Sequence, residues 1–477
     1  MTVYIYNTLS REKEAFVTQE PGKVKMYVCG PTVYDYIHIG NARPVIFFDT
    51  VRRYLELSGY EVNYIMNFTD VDDKLIRKAE QMGATVPEVA QTFIDAFNED
   101  VAALGVRQAT GNPRVTENIP EIIDLISELV DKGAAYASEG DVYFRTSSFE
   151  DYGKLSHQNI EELQMGIRIE IGERKESAQD FVLWKGAKPG EIKWDSPWGP
   201  GRPGWHIECS AMARKYLGDT LDLHGGGADL QFPHHECEVA QSESCTGHPL
   251  ANYWMHNGYI NIDNKKMSKS LGNGITVRVL LERAKPQAIR YFMLSTHYRS
   301  PLNFNDLTIE QAQSSVDRIA NCEANLEHRL QALGSLAHQE PSAIGLEARE
   351  AVLARLEEIE AAFHSKMSDD FNTPDAITAV FELVNEANQY LQREVAEAVV
   401  LKTLLAKLRK FDDALGVLPL PQAQPELLDE EVDRLIEERI EARRTKNWAR
   451  ADEIRDALAD QGILLEDTPQ GIRWRRK

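Results

Sequence analysis

Four residues of metal-ligand type stand far apart in this chain: Cys29, Cys209, His234 and Glu238. His234 and Glu238 are spaced i, i+4 at the start of an expected helix and so share one of its faces. Two thiolates, an imidazole and a carboxylate are a suitable tetrahedral zinc set. A buried cysteine is also, in general, a small hydrophobe, and spacing alone leaves both readings open. A metalloprotease is excluded because no HExxH occurs. Two further segments suit phosphate chemistry. His38-Ile39-Gly40-Asn41 stands between an apolar run and a helix start, where backbone N–H groups and the helix dipole attract anions and His38 adds a donor. The plainer alternative is a capping turn. Lys266-Met267-Ser268-Lys269-Ser270, with Gly272 and Gly274 close behind, is a cationic loop that can close on a triphosphate, or else a solvated turn. His224-Gly225-Gly226-Gly227 and Asp229 read as a glycine-lined turn that admits adenine or ribose closely, and Trp205 as a wall of a small-substrate pocket.

These residues need a frame, and the apolar pattern supplies one. Residues 24–30 (VKMYVCG) read as a buried strand closed by Gly30-Pro31. A helix follows, capped by Asn41, with Pro44 in its first turn and Val45, Phe48, Val51, Tyr54 and Leu55 at helical spacing until Gly59. Residues 61–68 are a second strand, so the opening is a βαβ unit with parallel strands. From about 110 to 203 the pattern loosens into Gly-, Pro- and charge-rich stretches, which we read as an insertion. Alternation resumes with a helix over 205–217, a strand at 221–223, a helix over 234–244 and a strand over 253–260. After about 307 only helical periodicity remains, until the hinge VLPLPQAQP and a last unit with helices over 429–445 and 448–461 and strands at ILLE and IRWRR. The expected class is α/β. A doubly wound, Rossmann-like parallel-sheet catalytic domain covers 1–306, with the insertion inside it. A helical bundle covers 307–416, a Pro-rich linker 417–428, and a small C-terminal α+β unit 429–477.

Length and composition agree with that division. A chain of 477 residues, 43% hydrophobic and 27% charged, exceeds one ordinary core and is neither disordered nor collagenous. No apolar run approaches the ~18 residues of a membrane helix, and the first residues lack a basic segment followed by an apolar one, so a cytoplasmic enzyme without membrane contact is expected. Five cysteines, an odd number in a long chain, favour metal binding or burial over a disulfide framework. The net charge of -22 repels polyanions at long range, so a nucleic-acid partner requires a local basic face. Only the tail offers one: 439–477 carries 10 Lys/Arg against 7 Asp/Glu.

HIGN at 38–41 and KMSKS at 266–270 resemble the signature motifs of class I aminoacyl-tRNA synthetases, with Asn41 in place of the usual second histidine. MYVCGPTVYD, GWHIECSAM, HGGGADLQFPHHE and WMHNGYI extend the resemblance over nearly the whole chain to the cysteinyl-tRNA synthetases. That resemblance implies ATP with Mg2+, L-cysteine and tRNA(Cys) as substrates, a monomer, and one Zn2+ held by Cys29, Cys209, His234 and Glu238, with Cys237, Cys245 and Cys322 as bystanders. It implies catalytic roles for His38, Asn41, Lys266 and Lys269. Nucleotide contacts would come from Gly40, Gly226, Gly227, Asp229, Lys269 and Ser270, and contacts to the amino acid from Trp205 and His224. The DDFNTPDA segment would brace the tRNA, and Trp474 among Arg473, Arg475 and Arg476 would stack an unpaired base in a unit that reads the anticodon. Two rivals are a cysteine ligase of mycothiol synthesis, which resembles the same catalytic half, and an inactive RNA-binding paralogue. The bundle and basic tail argue against the first, and the intact KMSKS and complete ligand set against the second.

Overall fold

The computed structural model describes residues 2–158, 174–267, 274–333, 343–419, 426–460, 463–468 and 471–476. Its centre is a sheet of four parallel strands in the order Ala251–Asn257, Leu221–Gly227, Lys23–Val28, Glu61–Met66. Chain order reverses between Lys23–Val28 and Leu221–Gly227. Ligands of such sheets bind in the crevice at the carboxyl ends of the strands beside that reversal. Helix Ile39–Leu57 is the first crossover; its buried Val45, Phe48, Val51, Tyr54 and Leu55 are the expected stripe. Helix Trp205–Leu217 matches the expectation from the sequence at both ends, stopped by Gly218 at φ 96°.

The loosened stretch is more regular than its composition suggests. After helix Ile119–Asp131, four antiparallel strands pair in sequence, Ala135–Ser138, Asp141–Phe144, Phe181–Gly186 and Gly201–Pro203. Gly201 and Gly204 are there because a Cβ would lie 2.3 Å from the Trp184 ring nitrogen and 2.1 Å from the Val182 carbonyl oxygen respectively. Gly201 lies in a strand and Gly204 caps the following helix, so close packing, not loop character, selects both. The strand expected over 253–260 is two strands, Ala251–Asn257 and Ile260–Ile262, separated at Gly258; the second pairs with Lys265–Lys266 and with Leu302–Phe304.

Beyond this come helices Asp306–Leu333, Ala343–Met367, Thr373–Leu391 and Ala398–Leu415, then helices Glu426–Arg444 and Trp448–Asp460 and the antiparallel pair Ile463–Thr468 and Gly471–Arg476. The chain divides into two compact units. One comprises Met1–Val316, Glu360–Val380 and Lys410–Val417; the other comprises Asp317–Ile359, Phe381–Arg409 and Leu418–Lys477. In the first unit, Asp370 is 1% exposed and accepts from Tyr6 N and Tyr298 Oη, each at 2.8 Å, and from Arg299 Nε at 2.9 Å. The centre of DDFNTPDA is thus a buried structural knot, with the carboxylates of Asp369 and Asp375 outside it. In the second unit Val432, Ile436, Ile454, Leu458 and Ile463 form a small core of their own. Among the described residues no helix is long and apolar enough to cross a membrane.

Candidate functional site

Four elements bring the metal-type residues together. Cys29 ends strand Lys23–Val28, where its N–H donates to Gly225 O at 3.3 Å; Cys209 projects from helix Trp205–Leu217. His234 lies in the irregular turn Gln231–His235, in which Phe232 is extended, and Glu238 in the first turn of helix Glu236–Thr246. Cys29 Sγ stands 3.6 Å from Cys209 Sγ, 3.5 Å from His234 Nε2 and 3.3 Å from Glu238 Oε1, and His234 Nε2 stands 3.0 Å from that same oxygen. A tetrahedral site with Zn–S near 2.3 Å and Zn–N near 2.0 Å sets S···S at about 3.8 Å and S···N at about 3.5 Å. The donor set therefore fits such an ion in kind and in spacing. A second grouping, Cys29, His224, His235 and Glu238, also lies within mutual reach but offers one thiol rather than two.

Each candidate ligand is held from behind, as metal ligands are. His234 Nδ1 shares a hydrogen bond with His206 Nδ1 at 2.9 Å, and its ring stacks on Trp205, centroids 4.3 Å apart. Glu238 Oε2 meets His224 Nε2 at 2.8 Å. Asn67 Oδ1 lies 3.7 Å from Cys209 Sγ and accepts from Gly30 N at 3.0 Å. Behind them His235 Nδ1 pairs with His256 Nε2, and His256 Nδ1 with Thr8 Oγ1, both at 2.8 Å. Burial pushes the Cys29 thiol up, whereas the hydrogen bond from Cys29 brings Cys209 down to about 6. Burial opposes charge on His234 and Glu238 as well, but Glu238 and Cys209 together outweigh it and hold His234 up at about 10. His224 and His234 in turn hold Glu238 well below the usual carboxylate range. Burial keeps His206 and His256 at about 3, and His235 lower than an ordinary imidazole, so these three are neutral.

At the phosphate side, the cap of helix Ile39–Leu57 is His38 rather than Asn41. His38 Nδ1 accepts from Asn41 N and Asn41 Oδ1 accepts from His38 N, both at 3.3 Å, a reciprocal capping box. An accepting Nδ1 puts the ring proton on Nε2. Asn41 thereby gains an assigned task, orienting the histidine. A Cβ on Gly40 would lie 2.4 Å from Met267 Cε, so HIGN and the start of KMSKS touch. Lys266 ends the hairpin of Ile260–Ile262 and Lys265–Lys266; Ser268, Lys269 and Ser270 lie outside the described residues.

The glycines 225–227 are not a turn but the end of strand Leu221–Gly227. A Cβ on Gly225 would lie 2.2 Å from the Phe48 ring, and one on Gly226 3.0 Å from His235, so the missing side chains make room for the protein's own. Asp229 is exposed just beyond. Trp205 is 41% exposed and His224 not at all, which places His224 behind Glu238 and leaves Trp205 open. Sequence reasoning missed His206, His235 and His256, although each sits inside a motif it quoted; imidazole pairs that join separate elements have no signature of spacing. It also passed over Trp448, 58% exposed beside Lys446 and Arg450 in the sequence, while Trp474 packs against the small core and donates to Asp433 Oδ1 at 3.0 Å.

Comparison with known proteins gives the class first. Residues 15–314 match the family "tRNA synthetases class I (C) catalytic domain", 362–419 the "DALR domain" and 426–475 the "Cysteinyl-tRNA ligase anticodon binding domain". The fold is shared with methionyl-tRNA synthetase of Mycobacterium tuberculosis in complex with methionyl-adenylate, at TM-score 0.62 and 16% identity over 83% of this chain and 90% of that one. It is shared also with an Agrobacterium radiobacter LeuRS in a ternary complex with tRNA, at TM-score 0.59 and 13% identity over 84% and 85%. The cysteine–tRNA ligases of Anoxybacillus flavithermus and Bacillus cereus are each 57% identical over 476 residues, 100% of both chains. The chain belongs to the cysteine–tRNA ligase family and is an aminoacyl-tRNA ligase.

Proposed function

We propose that this chain, a cytoplasmic monomer, activates L-cysteine with MgATP to cysteinyl-AMP and pyrophosphate and then transfers the cysteinyl group to tRNA(Cys). The observation that carries the cysteine specificity is the convergence of Cys29, Cys209, His234 and Glu238 at tetrahedral donor spacing beside the switch point of the sheet. A zinc ion held by these four residues would supply a borderline-soft Lewis acid that favours a thiolate over a serine hydroxyl. Shape alone rejects a near-isostere by about 1–3 kcal/mol, whereas a 10⁴-fold preference takes roughly 5.4 kcal/mol. No separate editing site is then required of residues 110–203.

The first step needs no protein nucleophile, because the cysteine carboxylate attacks the α-phosphate and pyrophosphate leaves. The protein's part is placed positive charge. His38, with its proton at Nε2, serves the phosphates at the positive end of the helix it caps. Lys269 and Lys266 of the second motif are assigned to the same phosphates, and Gly40 lies against Met267 of that motif. Asn41 orients His38. Trp205, stacked on His234 and open on its other face, walls the amino acid, while His224 acts through Glu238. Gly226, Gly227, Asp229 and Ser270 complete the nucleotide pocket. In the second step a ribose hydroxyl of the tRNA terminus attacks the carbonyl of the adenylate and AMP leaves. We assign catalysis to 1–306, tRNA bracing to the bundle 307–416 and anticodon reading to 429–477, where exposed Trp448 is a better stacking surface than Trp474. Cysteine-dependent ATP–pyrophosphate exchange, with and without tRNA, tests this: exchange driven by cysteine and not by serine is expected, and exchange without amino-acid preference would refute it.

A further inference from the structure

Arg43 lies two positions beyond Asn41 in helix Ile39–Leu57 and is 1% exposed. Burial alone acts on its charge, lowering it to about 10, and among the described residues no carboxylate stands within ion-pair distance. Its fork is met instead by backbone carbonyls: Nη1 donates to Gly258 O at 2.7 Å and Tyr259 O at 2.8 Å, and Nη2 to Ser300 O at 2.7 Å, with His297 O at 3.5 Å. A buried cation answered only by carbonyl dipoles is costly, and an apolar side chain would fill the space at less cost. What the guanidinium adds is a rigid fork that fixes several acceptors relative to one helix.

Those acceptors have a common place. Gly258 and Tyr259 join the sheet strand Ala251–Asn257 to Ile260–Ile262, the first arm of the hairpin that ends at Lys266. Residues 297–300 lead into Leu302–Phe304, which pairs with that same arm. Gly258 N donates to Tyr298 O at 2.7 Å, and a Cβ on Gly258 would lie 2.7 Å from Ser300 O, so only glycine lets the two backbones present carbonyls to one guanidinium. Past the motif loop, Ile39 N donates to Ile275 O at 2.9 Å and Val277 N to Ile37 O at 3.0 Å. The exit of the loop is thus tied to the HIGN backbone, and its entry to Arg43 on the same helix.

We infer that Arg43 is a positioning residue for adenylate formation, holding the hairpin that leads into the second motif, Ile260–Ile262 with Lys265–Lys266, in register with the helix that carries His38. The inference rests on the role given to Lys269 above. Lysine at this position keeps the charge but loses the fork. Pre-steady-state adenylate formation is measured for the full chain, Arg43→Lys, Lys269→Ala and the double variant, with cysteine affinity alongside. Displacing a reactant's partners by about 1 Å costs on the order of 100-fold. Arg43→Lys is expected to slow the step by roughly that factor with cysteine affinity kept within about threefold, and to add less than about threefold in the Lys269→Ala background, because groups that act through one another are not additive. Equal slowing in both backgrounds, or none in the first, overturns the inference. Should Arg43→Lys fail to fold, Gly258→Ala takes its place in the cycle under the same criteria. An unchanged rate for Lys269→Ala alone overturns the role of the loop itself, and this inference with it.

Discussion

His38 and Glu238 show how one side chain is given a single task by its neighbour. His38 accepts at Nδ1 from the backbone of its own helix, which fixes the ring and leaves Nε2 as donor, and Glu238 divides its two oxygens between the ligand cluster and His224. His38→Ala should therefore slow adenylate formation by about 2.7–4 kcal/mol of barrier, the usual loss for one donor aimed at developing charge, while cysteine affinity changes little. Single-turnover kinetics with a cysteine titration separates the two; a loss confined to cysteine affinity would remove His38 from the phosphate site. The four residues that converge were legible in the sequence through the family resemblance and because cysteines are few. The histidines behind them were not, since His206, His235 and His256 act through contacts spanning 28, 21 and 248 positions, and nothing in an imidazole's local spacing records its partner.

Among elements, helix Ile39–Leu57 organises the catalytic unit. At one end it caps with His38. At its middle Asp49, fully buried, accepts from Arg53 Nε at 2.8 Å and Arg290 Nη2 at 2.5 Å, and Arg290 also donates to Leu415 O at the end of helix Ala398–Leu415. Asp49→Asn leaves two buried guanidinium groups with no matching charge and should destabilise the unit by about 3–5 kcal/mol, read as a lowered urea midpoint; a change under about 1 kcal/mol would show the cluster to be solvated. Apolar periodicity exposed this helix and helix Trp205–Leu217 because each buries one face. It failed over 110–203, where strand residue Gly201 and helix-capping Gly204 are required by close packing and the composition mimics a loop.

At the scale of the whole molecule, an acidic chain of net charge -22 meets a polyanion through a local surface, and the last unit, with its own core, is where the sequence turns basic. Deleting 429–477 should spare cysteine-dependent pyrophosphate exchange and sharply reduce charging of tRNA(Cys). Equal charging by the truncated and full chains would defeat the anticodon assignment and revive the mycothiol-type rival. The run of helices that begins at Asp306 was readable because periodicity changes from alternating to purely helical near 307. The passage of the chain back into the first unit at Glu360–Val380 and Lys410–Val417 was not, because a buried knot such as Asp370 reveals its partners only in three dimensions.

The central claim is that Cys29, Cys209, His234 and Glu238 hold a metal that selects the substrate by its sulfur. Four protein donors close a site, whereas substrate selection needs an open position. Glu238 is the donor that can yield, being the hardest of the four and already bonded to His224 through its other oxygen. X-ray absorption at the zinc edge of the purified full-length protein counts the sulfurs directly. The account predicts zinc present without substrate, one additional sulfur in its shell on adding cysteine, and none on adding serine; an unchanged sulfur count at saturating cysteine would make the metal structural and contradict it.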